Sequence, residues 1–436
     1  MTERVVITGM GIVCPLGHDV ESVWQAILAC KNGMAKTTVF DATTFPTKFC
    51  AEVKNYDLSK YTKNPNLHKD SNRGSSFVIG ATAQACKQAG IDIEIDTPAD
   101  GIDRTRMGIY LGAGEGSVDN EAFFAAIIKG WNTDENKMDW GKWAETAFSQ
   151  MDAMREMEQE PNMPAGHIAL LTGARGPTRS CLTACAASTQ AVGEATMMIR
   201  RGDADVMIAG GAHSMIHPLG ITGFNRLTAL STRNESPETA SRPFTASRDG
   251  FVIGEGAAIL ILESEKSAKK RHVEIIAEVI GYGSSSDAFR ITDMHEQARG
   301  PVQAMTAAIK DASISYEDID YVNTHGTGTT ENDSIETLAV KSVFKEKAKN
   351  TPVSSIKSMM GHLIGAAGAA ELITCVLAIR DNIAPPTINL HDPDPKLDLD
   401  YVPNKPRKMP VNIAMNESFG FGGQNNVVII KRFEED

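Results

Sequence analysis

The chain is poor in aromatic residues, with four Trp, seven Tyr and fifteen Phe in 436 positions. It also lacks any apolar run long enough to span a bilayer, and Met1-Thr2-Glu3-Arg4 does not open a signal peptide. No membrane insertion and a cytoplasmic location are therefore expected. Cysteine is scarce: seven residues, odd in number and widely scattered, argue against a disulfide framework. Cys181 and Cys185 lie four apart with no second pair to complete a zinc site. His213 and His217 are spaced alike but lack the Glu of a metalloprotease motif, so no metal is expected. Basic residues are outnumbered, 43 Lys and Arg against 55 Asp and Glu. The resulting net charge of −12 speaks against nucleic-acid binding, and an acidic partner would need a locally basic patch.

What remains is an ordinary globular composition, 42% hydrophobic and 22% charged. At this length two packed halves are expected rather than one core. Val5 to Val13 reads as a buried strand ending in a Gly turn, and Ser22 to Ala29 and Ser71 to Ala89 read as helices. Met107 to Gly116 is another strand entering a Gly-rich loop, but its third glycine is displaced from a dinucleotide fingerprint. Residues 129 to 160 hold Trp131, Trp140 and Trp143 with Met138, Met151, Met154 and Met157. Trp143, Phe148, Met151 and Met154 approximate a helical stripe, which predicts a helix packed on the body; a Met-rich lid over an apolar ligand is the alternative.

Gly176-Pro177-Thr178-Arg179-Ser180-Cys181-Leu182-Thr183-Ala184-Cys185-Ala186-Ala187-Ser188 places Cys185 on a turn of small residues before an Ala-rich helix. A helix N-terminus there favours thiolate, and its unpaired N–H groups suit a developing oxyanion. A small buried core cysteine is the other reading. The second half replays the first. Glu274 to Gly283 matches the opening strand, Tyr321 to Thr329 matches the Met107 strand and loop, and Val353 to Gly361 with helix Ala366 to Ile379 matches the approach to Cys185. Two α/β halves related by pseudo-symmetry are expected, with Cys185 facing His362 across their junction. His325 lies in Asn323-Thr324-His325-Gly326-Thr327-Gly328-Thr329 and His362 in Lys357-Ser358-Met359-Met360-Gly361-His362. A third Gly-rich segment, Asn416-Glu417-Ser418-Phe419-Gly420-Phe421-Gly422-Gly423, lets backbone N–H groups approach a ligand closely. A cysteine with a base or hydrogen-bond donor is the minimum for thiol-based acyl transfer.

Taken together, Thr-Ala-Cys at 185, Thr-His-Gly-Thr-Gly-Thr at 325 and Lys-Ser-x-x-Gly-His at 362 make the chain resemble the β-ketoacyl-acyl-carrier-protein synthases, elongating condensing enzymes of the thiolase superfamily. The resemblance runs from Ile7 to Gly423. It implies an α/β fold, the thiolase-like five-layered αβαβα arrangement from two pseudo-symmetric halves (1–270 and 271–436), and a homodimer. It implies decarboxylating Claisen condensation of an acyl thioester with malonyl-acyl-carrier protein, in fatty-acid or related lipid or polyketide synthesis. No cofactor is implied beyond substrates carried on the phosphopantetheine of acyl-carrier protein. Cys185 would carry the acyl group, and His325 and His362 would assist decarboxylation and hold the enolate. Lys357, paired with Glu371, would tune the site, and the N–H groups of Cys185 and Phe421 would form an oxyanion hole. Thr327 and Thr329 would contact the pantetheine arm; Phe421, Phe419, Phe224 and Glu115 join the acyl or pantetheine surroundings, with Phe421 as gatekeeper.

Glu115 departs from the family pattern, which is apolar there, and a carboxylate in an acyl tunnel is costly unless paired or protonated. The 129–160 segment is longer than usual and is expected to reshape the tunnel or meet another protein. Lys63, Lys69 and Arg73 are expected to offer a patch to the acidic carrier protein. A degradative thiolase would need a second reactive cysteine, for which Cys375 is the late candidate, inside an apolar helix. A non-catalytic partner subunit of a ketosynthase pair would lack the nucleophile.

Overall fold

Runs that are apolar at every position build strands buried on both faces, and the computed structural model, which describes residues 3–435 apart from 115, 117 and 118, arranges them accordingly. Among the described residues the first half contributes β1 (Val5–Val13), β2 (Met107–Ala113), β3 (Thr178–Cys181), β4 (Val206–His213) and β5 (Gly256–Ser264). The second contributes β6 (Ala277–Ser286), β7 (Tyr321–Asn323), β8 (Val353–Ser354), β9 (Ile413–Gly420) and β10 (Gln424–Lys431). The spatial order is β8-β7-β9-β10-β6-β1-β5-β4-β2-β3. Each half therefore carries the same permutation: third, second, fourth, fifth and first strand of its own set.

Directions match as well. In the first half β2 runs parallel to β3 and β4, while β5 is antiparallel to β4 and β1. In the second β7 runs parallel to β8 and β9, while β10 is antiparallel to β9 and β6. The sheets meet where Val5, Val6 and Ile7 pair with Val279, Glu278 and Ala277. The internal repeat expected from the motif order is thus a repeat of topology.

The longer helices include α1 (Arg73–Gln88), α2 (Asn120–Gly130), α3 (Trp140–Gln150), α4 (Met163–Thr172), α5 (Ala187–Arg200), α6 (Arg299–Asp311), α7 (Thr330–Phe344) and α8 (Ala367–Asp381). Strand side chains alternate between faces, and the cores follow that period of two. Ile259 and Ile261 of β5 pack with Phe77 and Ala81 of α1 and Ile168 of α4 on one outer side. Leu260 and Leu262 turn inward to Val192 of α5 and Leu372 and Val376 of α8, and Val428 and Ile430 of β10 reach the same layer from the other sheet. Val427 and Ile429 face outward to Met305 of α6 and Phe344 of α7. The layers alternate αβαβα. α8 is buried on every side from Ala367 to Ile379, which explains its apolar sequence all round.

The 129–160 segment differs from the expectation. A hairpin of Trp131–Asn132 with Lys137–Met138 separates α2 from α3, and a new short helix starts at Ala153. The stripe is therefore broken after α3. Phe148 is 93% exposed, and Trp140, Met154 and Met157 are also exposed. Trp143 and Met151 are half-buried, Trp143 against α2 near Gly130, while Phe148 and Met154 face outward.

Candidate active site

β3 delivers the chain to a turn at which Ala184 adopts φ 49°, and α5 begins three residues later. Ile364 repeats this conformation at φ 48° before α8. A non-glycine residue in this left-handed region costs on the order of 1–3 kcal/mol, and such strain persists where surrounding packing enforces it. Here the enforcement comes from close backbone approach. A Cβ on Gly112 of β2 would lie 2.3 Å from Ser188 N, and one on Gly420 would lie 2.8 Å from Thr183 O. Gly112→Ala is accordingly expected to lower stability by about 1–3 kcal/mol in denaturant titration; an unchanged midpoint would mean that the turn yields freely.

The two turns bring Cys185 and His362 to the wall of one cavity of about 370 Å³. Cys185, His325, His362, Thr327, Thr329, Phe251, Phe419 and Phe421 line it. The sulfur of Cys185 and one ring nitrogen from each histidine lie within 4.8 Å of one another. The rings of His325 and His362 stand 5.3 Å apart at 81°, with Phe251 edge-on to His362 and Phe419 beside His325. A sulfur and two imidazoles are also a soft-metal donor set. The ammonium of Lys357, 3.4 Å from His325 Nδ1, places a like charge against a dication there.

Hydrogen bonds assign the imidazole protons. Ile364 N–H donates to His362 Nδ1 at 3.2 Å, so the ring proton sits on Nε2, which is buried and has no partner among the described residues. Lys357 offers three N–H donors to three acceptors: His325 O at 2.6 Å, Glu371 Oε1, and His325 Nδ1 at 3.4 Å. His325 therefore also carries its proton on Nε2. Burial, followed by the Lys357 charge, holds both imidazoles well below their usual pKa. Two neutral N–H donors thus face the cysteine. Burial pushes Glu371 up to about 7 against the pull of Lys357.

The expected bias of Cys185 toward thiolate is corrected by burial. Desolvation raises its thiol to about 11, outweighing the lowering by Lys357 and by the N–H groups of Phe421 and of Cys185 itself. The resting nucleophile is a thiol. Its alkylation by iodoacetamide should accelerate about tenfold per pH unit up to about pH 11. A plateau at neutral pH would show the thiolate already formed. The same two N–H groups that reach the sulfur are the pair expected to form an oxyanion hole.

Other expected residues divide. Thr327 and Thr329 hydroxyls are 3.0 Å apart on the cavity wall, and Thr329 also caps α7 through Asn332 N. Phe224 stands one layer back, edge-on to Phe251, and Phe251 rather than Phe224 lines the cavity. Glu115 lies outside the described residues. Lys63, Lys69 and Arg73 are all exposed, and Arg73 also pairs with the buried Glu255, Nε to Oε2 2.9 Å, and lies over the Phe77 ring. Cys375 is buried in α8, its thiol pushed well up by burial, as a structural cysteine would be.

Two further acids, absent from the sequence reading, hold the His325 loop. Glu336 accepts from His325 N at 2.5 Å and Gly326 N at 2.8 Å, and Asp333 accepts from Gly328 N at 3.1 Å. Their spacing of three on α7, directly after the Thr-Gly-Thr loop, was the available signal.

The family described as "Beta-ketoacyl synthase, N-terminal domain" matches residues 2–268, and "Beta-ketoacyl synthase, C-terminal domain" matches 276–391. The chain is 40% identical over 438 residues to a Coxiella burnetii protein named 3-oxoacyl-[acyl-carrier-protein] synthase 2, covering 98% of each. It is 40% identical to the Vibrio harveyi protein of that name, covering 99% of each. Among solved structures it superposes with TM-score 0.87 and 32% identity, covering 100% of both chains, on one described as a type II PKS acyl-carrier protein in complex with its ketosynthase bound to the hexaketide. With both halves matched, the fold repeated and the cysteine between two histidines, the chain belongs to the β-ketoacyl synthase family.

Proposed function

We propose that this protein condenses an acyl thioester with malonyl-acyl-carrier protein to give 3-oxoacyl-acyl-carrier protein. The observation that carries the reading is one cavity where Cys185 faces two Nε2–H donors. The Cys185 sulfur attacks the acyl thioester, forming a new thioester and releasing the carrier thiol; its proton leaves with that thiol. The carbonyl oxygen, negative in the tetrahedral intermediate, takes the N–H groups of Cys185 and Phe421. Malonyl-carrier protein then enters past Thr327 and Thr329. Its C–C bond breaks, carbon dioxide leaves with no base required, and the electron pair remains as an enolate whose oxygen accepts from His325 and His362 Nε2–H. The enolate carbon attacks the acyl-Cys185 carbonyl, the C–S bond breaks with its electron pair going to sulfur, and the thiolate takes a proton from water.

Because both donors serve the enolate, His325→Ala and His362→Ala should each slow condensation by about 10²–10³-fold while Cys185 still acquires the acyl group. Equal loss of both steps would contradict this division. Neutral imidazoles also predict no fall in condensation as pH drops through the usual histidine range near 6.5. The Thr178–Cys181 edge strand supports a homodimer, since its outer edge has no partner strand among the described residues. No helix among the described residues is long and apolar enough to cross a membrane, which agrees with a cytoplasmic enzyme. The acyl class follows from a panel of acyl-carrier-protein thioesters scored for loading of Cys185.

A further inference from the structure

A buried acidic cluster adjoins the His325 loop, and one of its members, Glu417, has no role in the proposed reaction. Asp333, Glu336, Glu371 and Glu417 are each 1% exposed or less, and the buried cations among them are Lys357 and Arg248. Lys357 pairs with Glu371, and Arg248 Nε lies 3.6 Å from Asp333 Oδ2. Among the described residues no cation forms an ion pair with Glu336 or Glu417. Glu336 is nevertheless well served as an anion: its oxygens accept from His325 N, Gly326 N and Asn332 Nδ2. Glu417, on β9, is not. It is wholly buried, and neither carboxyl oxygen accepts a hydrogen bond from a described residue.

Met415 of β9 packs with Val340 and Phe344 of α7, and the strand's period of two puts Glu417 on the same face, toward the half of α7 that carries Glu336. An ionised carboxylate only accepts, so two ionised groups repel and neither partners the other. One proton converts the repulsion into a charge-assisted hydrogen bond. We propose that Glu417 is a positioning residue: a neutral carboxylic acid that donates to Glu336 and so fixes the turn carrying His325. Burial and the facing Glu336 both push the Glu417 carboxyl well above the usual range, and burial raises Glu336 to about 7. The role of His325 in decarboxylation rests on the function proposed above; the protonation state of Glu417 does not.

Infrared difference spectra of the intact protein minus Glu417→Gln, at neutral pH in water and in D₂O, separate the two. The expected result is loss of one carboxylic-acid C=O band that shifts on deuteration. Loss of a carboxylate band instead would overturn the proposal, because Glu417 would then be an anion neutralised by something other than a proton. Rates give a second reading. Glu417→Met, which cannot donate, should slow malonyl-carrier-protein decarboxylation about tenfold or more with acyl loading of Cys185 unchanged, and Glu417→Gln, whose amide can donate to Glu336, should recover most of that loss. Equal impairment by Met and Gln, or equal loss of both steps, would contradict positioning through a donated hydrogen bond. If Glu417→Met does not fold, the infrared result decides alone.

Discussion

Cys185→Ala is expected to lower condensation by at least on the order of 10⁴-fold and to abolish the acyl adduct on the protein. The reason is covalent. Among the described residues the cavity is lined by one thiol, and the imidazoles beside it carry N–H groups turned inward, so neither imidazole replaces it as nucleophile. The fold should survive, because Cys185 sits on a turn of small residues at the wall of the cavity and the substitution removes a single sulfur atom. Intact-protein mass spectrometry after exposure to acyl-carrier-protein thioester, with a thermal melt as control, checks both halves. An adduct of unchanged occupancy in the variant would remove Cys185 from the reaction.

Lys357→Ala carries the largest expected stability effect. Both Lys357 and Glu371 are buried, and deleting one partner of a buried ion pair leaves the other uncompensated, at a cost of about 3–5 kcal/mol. Chemical denaturation should show this as a lower midpoint, and Glu371→Gln in the same background should restore part of it. Catalysis should fall too. Lys357 holds His325 through its carbonyl oxygen and through Nδ1, and without it nothing sets the proton on Nε2. A variant of unchanged midpoint would mean that the pair is solvated rather than buried.

The parts of this site that were legible in sequence are those encoded locally. Cys185, His325 and the Gly-Phe-Gly-Gly loop each sit where a strand gives way to a turn of small residues, His362 follows a short helix beyond its strand, and the repeated order of these segments announced two similar halves. What stayed hidden depends on neighbours far along the chain. Glu336 and Glu417 lie 81 residues apart, in a helix and a strand whose acids look like solvent-facing ones until both are buried. Cys185 has the turn before a helix that favours thiolate, but its surroundings come from α8 and β9, and their desolvation prevails. The Trp- and Met-rich stripe has helical period, yet period alone does not supply a surface to pack on; Phe148 is exposed for that reason. Arg73 reads as a free surface charge until Glu255, on the loop before β5, reaches it.

The central claim is that an acyl group on Cys185 is consumed by a malonyl-derived enolate formed in the same cavity. Loading the protein with a single acyl-carrier-protein thioester, removing excess, and adding malonyl-carrier protein tests it directly, with the Cys185 peptide mass and released carbon dioxide followed together. The prediction is that the adduct disappears from Cys185 with one carbon dioxide released for each 3-oxoacyl product formed. Persistence of the adduct while product accumulates, or product formed from a protein that never carries an adduct, would contradict it.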